Sequence, residues 1–317
     1  MIRGTSSYTV LFPLLFYKHN KVYVMKKLTY ICFVLTLSFA VQLQAQQDPH
    51  FSLYKFNMNV INPAYAGTQA KIEGIFGVRS QWSGLPGAPE TYNMNVNASL
   101  GDHVGAGLSV TGDQVFVLSE THLYADFSYR IQLAEALNLY AGIKAGGSFL
   151  NVDLAKTNVE NDPLFGQNIS TFNPNVGVGF YLKGEKYYVT LSAPGLLQND
   201  RFEKEGVTPV SATDEVHFFA GGGYDFDISE NFAIRPATLA RVVSGAPLSW
   251  DFTASGVYAD RIELGANYRL DESVTFFGMF GFIDNLLNFG YAYEYTTTEI
   301  NDFANGSHEV VIRIRIQ

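Results

Sequence analysis

Cysteine is almost absent: the 317 residues contain one, Cys32. It lies in a short apolar run near the N-terminus, so the rest of the chain has no disulfide, no thiolate nucleophile and no Cys-ligated zinc. Charge is also scarce, at 16% of residues against about 25% in soluble domains. A disordered chain would be charge-rich and aromatic-poor, and a coiled coil would be dominated by Ala, Glu, Lys, Leu and Arg; neither fits. Mean hydropathy is only +0.04, too low for a bundle of transmembrane helices. The net charge of −9, with no basic stripe interleaved with aromatics, makes the chain a poor candidate for nucleic acid binding. What is plentiful is aromatic or small: 25 Phe, 19 Tyr and 29 Gly. This composition suits a sheet with one polar and one apolar face, at a length that one all-β barrel can fill.

Residues 25–45 read MKKLTYICFVLTLSFAVQLQA. Lys26 and Lys27 form a positive start, residues 28–40 an apolar run, and Ala45 is the small residue before Gln46. This is the pattern of a secretory signal peptide, with cleavage after Ala40 as an alternative. Thr29, Tyr30 and Ile31 make a poor lipobox before Cys32, so a lipoprotein is disfavoured. Residues 1–24 read as a mis-assigned start, since Met25 is the better one. Residues 1–45 carry five basic side chains and no acidic one, leaving 16 basic and 30 acidic residues beyond, a net −14.

Beyond the leader one pattern recurs: about ten residues of apolar/polar alternation, then a turn. In residues 91–100, Tyr92, Met94, Val96, Ala98 and Leu100 share one face, and Asn93, Asn95, Asn97 and Ser99 the other. In residues 288–296, Phe289, Tyr291, Tyr293 and Tyr295 face away from Asn288, Gly290, Ala292 and Glu294. The stretch 131–139 looks helical but reads better as a hairpin turning at Ala134-Glu135. Fourteen strands are expected, at 71–82, 90–100, 103–112, 120–131, 136–149, 173–183, 186–193, 214–227, 231–243, 248–258, 261–269, 273–283, 287–297 and 307–317.

Alternation alone also fits a soluble sandwich. Three features favour an all-β, transmembrane antiparallel β-barrel of the outer-membrane type over residues 71–317. The apolar face is aromatic-rich near segment ends, while the other face carries Asp126, Arg130, Lys144, Asp251, Glu263, Arg269, Glu294, Arg313 and Arg315. Lipid cannot satisfy a free strand edge, so the sheet must close, and fourteen is even. Connections after even-numbered strands are short and the long ones follow odd-numbered strands, which sorts them to opposite sides of a membrane.

Signs of catalysis are weak. His50, His103, His122, His217 and His308 show no metal-ligand spacing. Gly177/Gly179 and Gly105/Gly107 have no following helix to cradle a phosphate, and read as relief of crowding in curved strands. Asp225 and Asp227 read as a solvated strand end rather than a calcium site. Ser128 and Ser192 are the hydroxyls that an outer-membrane hydrolase would need paired with a histidine.

Two stretches break the alternation: QDPHFSLYKFNMNVINPAYAGT at residues 47–68, and RSQWSGLPGAPET at residues 79–91. Through Asp48, Pro49, Phe51, Ser52, Tyr54, Phe56, Asn57, Ile61, Asn62, Pro63, Ala64, Tyr65, Ala66 and Gly67 the first resembles the opening of the PorP/SprF family of type IX secretion and gliding proteins. Through Arg79, Gln81, Trp82, Gly84, Gly87, Ala88, Pro89 and Thr91 the second resembles its continuation. Many barrels end in Phe, whereas this chain ends in Gln317.

The resemblance implies an outer-membrane barrel of the Bacteroidetes envelope that is not an enzyme and uses no cofactor. Its implied partners are outer-membrane lipid and either periplasmic ring components of the secretion machine or a large secreted adhesin or repeat protein. The candidate partner-binding or structural residues are Asn62, Pro63, Ala64, Tyr65, Gly67, Gln81, Trp82, Gly84, Gly87 and Pro89. The pre-barrel segment, residues 46–70, could tuck into the lumen or lie along the periplasmic rim, and its mixed Asn and aromatic composition favours a lumen plug. The loop around Trp82 is expected either to fold inward or to present an aromatic to a partner. The rival readings are a porin-like diffusion channel, with a lumen open to small solutes, and an outer-membrane enzyme.

Overall fold

The computed structural model describes residues 51–153, 169–198 and 214–317. The expected leader and the extension before it lie outside the described residues, as do residues 154–168 and 199–213.

Alternation becomes strand after strand in near-expected positions. They are β1 (Ile72–Ser80), β2 (Glu90–Ser99), β3 (Val104–Val115), β4 (Leu118–Ala134), β5 (Leu137–Val152), β6 (Ile169–Lys183), β7 (Tyr187–Ala193), β8 (His217–Tyr224), β9 (Phe226–Ser229), β10 (Phe232–Val243), β11 (Ser249–Tyr258), β12 (Ile262–Arg269), β13 (Ser273–Phe282), β14 (Leu287–Thr296) and β15 (Ser307–Ile316). β8 and β9 both pair with β10 and form one barrel strand interrupted at Asp225. Each remaining neighbour pair is antiparallel and consecutive, and β15 closes on β1 from Ile72↔Ile316 to Ser80↔His308. The described residues therefore form a closed fourteen-stranded barrel, and no sheet edge is left for lipid to meet along that seam.

One boundary differs from expectation. Residues 113–119 were expected to be mostly loop, but β3 and β4 pair as far as Val115↔Leu118, leaving only Phe116 and Val117 to turn the chain. Cross-strand pairs such as Thr111↔His122 and Gln114↔Ser119 keep the ladder going where the apolar alternation fades.

The faces sort as the alternation requires. Leu108, Ile143, Leu264 and Phe276 stand exposed on the outer surface, each more than half accessible. Exposed aromatics ring that surface near both ends: Tyr92, Phe149, Phe172, Trp250 and Tyr295 toward one rim, Phe180, Tyr187, Phe226, Tyr258 and Phe282 toward the other. Inward positions carry Asn93, Asn95, Asn97, Asp126, Lys144, Asp251, Glu263, Arg269 and Glu294, all buried.

The two rims are distinct. The turn rim holds the short connections 100–103, 135–136, 184–186, 230–231, 259–261 and 283–286. At 259–261, Ala259 and Asp260 have φ of 50° and 54°, and Arg261 N–H donates to the Tyr258 carbonyl at 3.1 Å. That is a primed hairpin turn, whose twist matches the strands it joins. The loop rim holds 81–89, 116–117, 244–248, 270–272 and 297–306, together with the two connections that include residues outside the description.

Candidate functional site

The segment 51–70 runs inside the barrel from the loop rim to the turn rim. At its start, Ser52 and Leu53 donate their backbone N–H groups to the Glu309 carboxylate at 2.7 and 3.2 Å. Glu309 is two residues from the loop-rim end of β15. One turn of 3₁₀-helix (Tyr54–Phe56) and one of α-helix (Met58–Ile61) carry the chain down the lumen. At the far end Lys183, the last residue of β6, donates to the Thr68 carbonyl at 2.7 Å, and Ser99 N–H to the Lys71 carbonyl at 3.0 Å. Phe51, Tyr54, Met58, Ile61, Ala64 and Tyr65 pack on Tyr140, Tyr181 and Leu239 of the wall. Leu53 and Phe56 pack on Ile75, Phe277, Met279, Ala292 and Val311. The segment thus supplies most of the apolar partners that the lumen side chains touch.

Asn62, Pro63, Ala64, Tyr65 and Gly67 are brought together in a cradle near the turn rim. The Asn62 side chain accepts from Ala64 N–H at 2.9 Å and caps the 3₁₀ turn that Pro63 opens. Its amide donates to the Phe180 carbonyl at 3.0 Å and to the Thr190 hydroxyl at 2.7 Å, so this fully buried side chain is well paired. The wall meets the segment's carbonyls with hydroxyls: Ser128 Oγ donates to Ala66 and Ser192 Oγ to Ile61, each at 2.7 Å. Elsewhere it meets the segment with glycine. A Cβ on Gly105 would collide with the Ala66 carbonyl, one on Gly142 with the Ala64 backbone, and one on Gly179 with the Asn62 side chain. Tyr65 sets its ring edge-to-face on Tyr181, centroids 5.5 Å apart. Gly67, at φ +73°, turns out of the cradle where a side chain would press on Ala98 and Gly105.

A buried ion network fixes the other end. Arg79, 1% exposed, places Nη2 2.9 Å from Glu294 and Nη1 3.4 Å from Glu309, and also donates to Ser52 Oγ at 2.6 Å. Ser52 Oγ in turn donates to Glu294 at 2.9 Å. Further down, Lys55 pairs with Glu263 at 2.6 Å, and Lys144 pairs with Asp126 at 3.2 Å while donating to the Asn59 carbonyl. Arg79, Lys55 and Lys144 thus each meet a carboxylate, as buried cations must, whereas Arg313 donates to Asn288 at 3.4 Å and lies over the Phe56 ring.

Gln81, Trp82, Gly84, Gly87 and Pro89 lie at the opposite end, in the loop 81–89. The two sequence motifs therefore do not form one site. The loop is held flat across its neighbours rather than free. Gln81 N–H donates to the Pro89 carbonyl, Ser83 and Asn305 exchange bonds with 306 and 83, and Phe116 N–H donates to Gly87, all at 2.8–3.1 Å. Trp82 is half-buried and adopts φ +50°, a left-handed conformation that costs a bulky residue energy. Gly84 and Gly87 take positive φ at no such cost. Phe116 and Phe303 stand exposed beside this platform, Phe303 at 74%.

The residues singled out for chemistry serve structure. Ser128 and Ser192 spend their hydroxyl protons on the segment. Asp225 and Asp227 pair with Arg235 and Lys186 at 3.2 and 2.9 Å. His103 bonds the Arg130 carbonyl and His308 the Tyr291 hydroxyl. Among the described residues no cluster of His, Cys, Asp or Glu is placed to hold a metal ion. The alternation did not reveal the Arg79 network or the glycine cradle. Gly105, Gly142 and Gly179 do share the inward parity of their strands, a signal that the sequence carries.

Among solved structures, the chain resembles Omp33 of Acinetobacter baumannii (9% identity, 79% of this chain and 100% of that one, TM-score 0.48). It also resembles the Ralstonia pickettii toluene transporter TbuX (12%, 81% and 92%, 0.48) and the CymD monoaromatic hydrocarbon channel (13%, 80% and 90%, 0.47). No curated protein matches it. The sequence profile of the type IX secretion system membrane protein family PorP/SprF matches residues 43–314. This match spans both motifs and the closed barrel into its last strand, and the chain belongs to the PorP/SprF family of type IX secretion system membrane proteins.

Proposed function

We propose that this protein is a plugged outer-membrane docking component of the secretion machinery, which holds an exported adhesin-like protein at its loop rim. In this reading residues 25–45 are removed on export and the loop rim faces outward, as the sorting of long and short connections favours. The observation that carries it is the filled lumen. Residues 51–70 bond or pack to strands all round the wall, and their backbone lies against inward glycines. A barrel occupied in this way works through its rims rather than its bore. The filled lumen weighs against the porin reading, which needs an open path.

The platform at 81–89, tied to 305–307 and Phe116, is the surface that we assign to the exported partner, with Trp82, Phe116 and Phe303 as its apolar contacts. Aromatics on a rigid support lose little entropy on binding. The turn rim, with its exposed Lys186–Asp227 and Arg261–Asp284 pairs, is the face open to a periplasmic ring component.

Affinity capture from detergent-solubilised membranes tests the assignment. The wild-type chain should retain a large secreted protein, and Trp82→Ala should lose it while keeping the folded barrel's gel mobility. Equal capture by Trp82→Ala and by a Phe116→Ala/Phe303→Ala variant would remove the platform from the partner surface. Steady conductance by the wild-type chain in planar bilayers would instead restore the channel reading.

A further inference from the structure

At its turn-rim end the lumen holds more cations than anions. Glu73 of β1 and Arg313 and Arg315 of β15 project inward from paired strands, in register at Glu73↔Arg315 and Ile75↔Arg313. Lys183 ends β6, five strands round the wall from β1, and has Arg315 and Glu73 as its charged neighbours. Glu73 is fully buried and already committed. It accepts from Arg315 Nε at 2.8 Å and from Asn97 Nδ2 at 3.4 Å. Glu263, the other carboxylate within electrostatic reach of Arg313, is taken by Lys55 at 2.6 Å and Arg235 at 3.4 Å.

Arg313 is left over. It is 6% exposed, its Nε has no hydrogen-bond partner, and its guanidinium lies 5.4 Å from the centre of the Phe56 ring. Its one hydrogen bond runs to the Asn288 side chain at 3.4 Å. Lys183 donates to the Thr68 carbonyl at 2.7 Å. Among the described residues no carboxylate lies within ion-pair distance of either cation. A guanidinium cannot shed its proton to escape burial, and an unpaired ion in low dielectric is costly.

From this imbalance we infer that the turn-rim end of the lumen is a binding site for a small oxyanion of the phosphate or carboxylate class, held between Arg313, Arg315 and Lys183. Two guanidinium forks suit an ion that offers two or more oxygens, and the ammonium adds a point charge. The Arg315 side chain is 23% exposed and Lys183 is half-buried, so the site opens at the turn rim. Arg313 lies one inward position deeper, backed by Phe56 of the inner segment. The platform at the loop rim takes no part, so the site holds whichever way the barrel faces.

Calorimetric titration of the detergent-solubilised barrel with inorganic phosphate and, separately, with acetate, in chloride-free buffer of low ionic strength, tests the inference. Saturable binding of at least one is expected from the wild-type chain. Arg313→Met should abolish it, and Lys183→Met should weaken it about tenfold, the worth of one charge-assisted hydrogen bond. Arg261→Met removes an exposed turn-rim cation already paired with Asp284 and should bind as the parent does. Binding of phosphate alone supports the site with a phosphate-class ligand, and binding of acetate alone supports it with a carboxylate. Absence of saturable binding of both ions overturns the site, as does equal binding by Arg313→Met. Should Arg313→Met not reach the gel mobility of the folded barrel, Lys183→Met decides, and unchanged affinity there overturns the site.

Discussion

Arg79 and Glu294 meet at 2.9 Å across the barrel seam, their side chains 1% and 6% exposed, and Ser52 of the inner segment bonds both. The guanidinium also serves Glu309 at 3.4 Å, while Glu294 has a second cation, Arg269, at 3.8 Å. Removing Arg79 leaves Glu294 to Arg269 and Glu309 to the Ser52 and Leu53 N–H groups, and breaking a buried pair from one side costs about 3–5 kcal/mol. Arg79→Met should lower the unfolding free energy of the barrel in lipid or detergent, and with it the urea midpoint, by up to that order. The triple variant Arg79→Met/Glu294→Gln/Glu309→Gln should recover part of the loss. An unchanged midpoint for the single variant would mean that the pairing does not stabilise the fold.

Gly142 leaves room for the Ala64 backbone, and any Cβ there collides with it. Gly142→Leu should expel the 62–67 stretch from its cradle. Limited proteolysis should then cut within residues 51–70, which stay protected in the parent. Gly112→Ala, where a Cβ meets nothing within 4 Å, is the control and should leave the segment protected. Equal protection in both variants would show that the cradle does not hold the segment.

Deleting residues 51–66 should convert a closed barrel into an open one. The inward wall would keep its polar face of Asn93, Asn95, Asn97, Ser109 and Thr253 but lose what fills it. Stepwise conductance in planar bilayers is expected from the deletion and none from the parent. A silent deletion variant would mean that the remaining side chains close the bore.

Ala259 and Asp260 occupy both left-handed positions of their hairpin turn, where Asn-Gly is the favoured pair. Ala259→Asn/Asp260→Gly should stabilise the barrel by about 1 kcal/mol, since left-handed backbone costs a non-glycine residue about 1–2 kcal/mol. The exposed pair of Asp260 with Arg235, at 3.7 Å, is worth little against that gain. Urea titration reads the shift, and a lower midpoint would contradict it.

The strands were legible because a strand's two faces are set locally, residue by residue. Residues 91–100 and 288–296 point as their alternation requires, and the start of every strand falls within four residues of its expected position. The β3–β4 hairpin was read too short, since backbone pairing outlasted the apolar pattern that announced it. The mixed Asn and aromatic composition of the segment 46–70 favours a lumen plug over the rim, and residues 51–70 do fill the lumen, but composition could not say which side chains they would meet. Asn62 illustrates why. Its value lies in Phe180 and Thr190, which lie 118 and 128 residues away in sequence.

What the sequence alone determined is the alternating wall, its even strand number, the parity of its loops and the two motifs that mark the family. All of these follow from short-range periodicity and from the rule that no strand edge can face lipid. What only the tertiary structure decided is what the wall encloses: a segment descending from the loop rim, seated against Gly105, Gly142 and Gly179 and locked by Arg79. That arrangement depends on steric fit and charge pairing between residues up to 257 positions apart, and no local pattern encodes which distant side chains will meet.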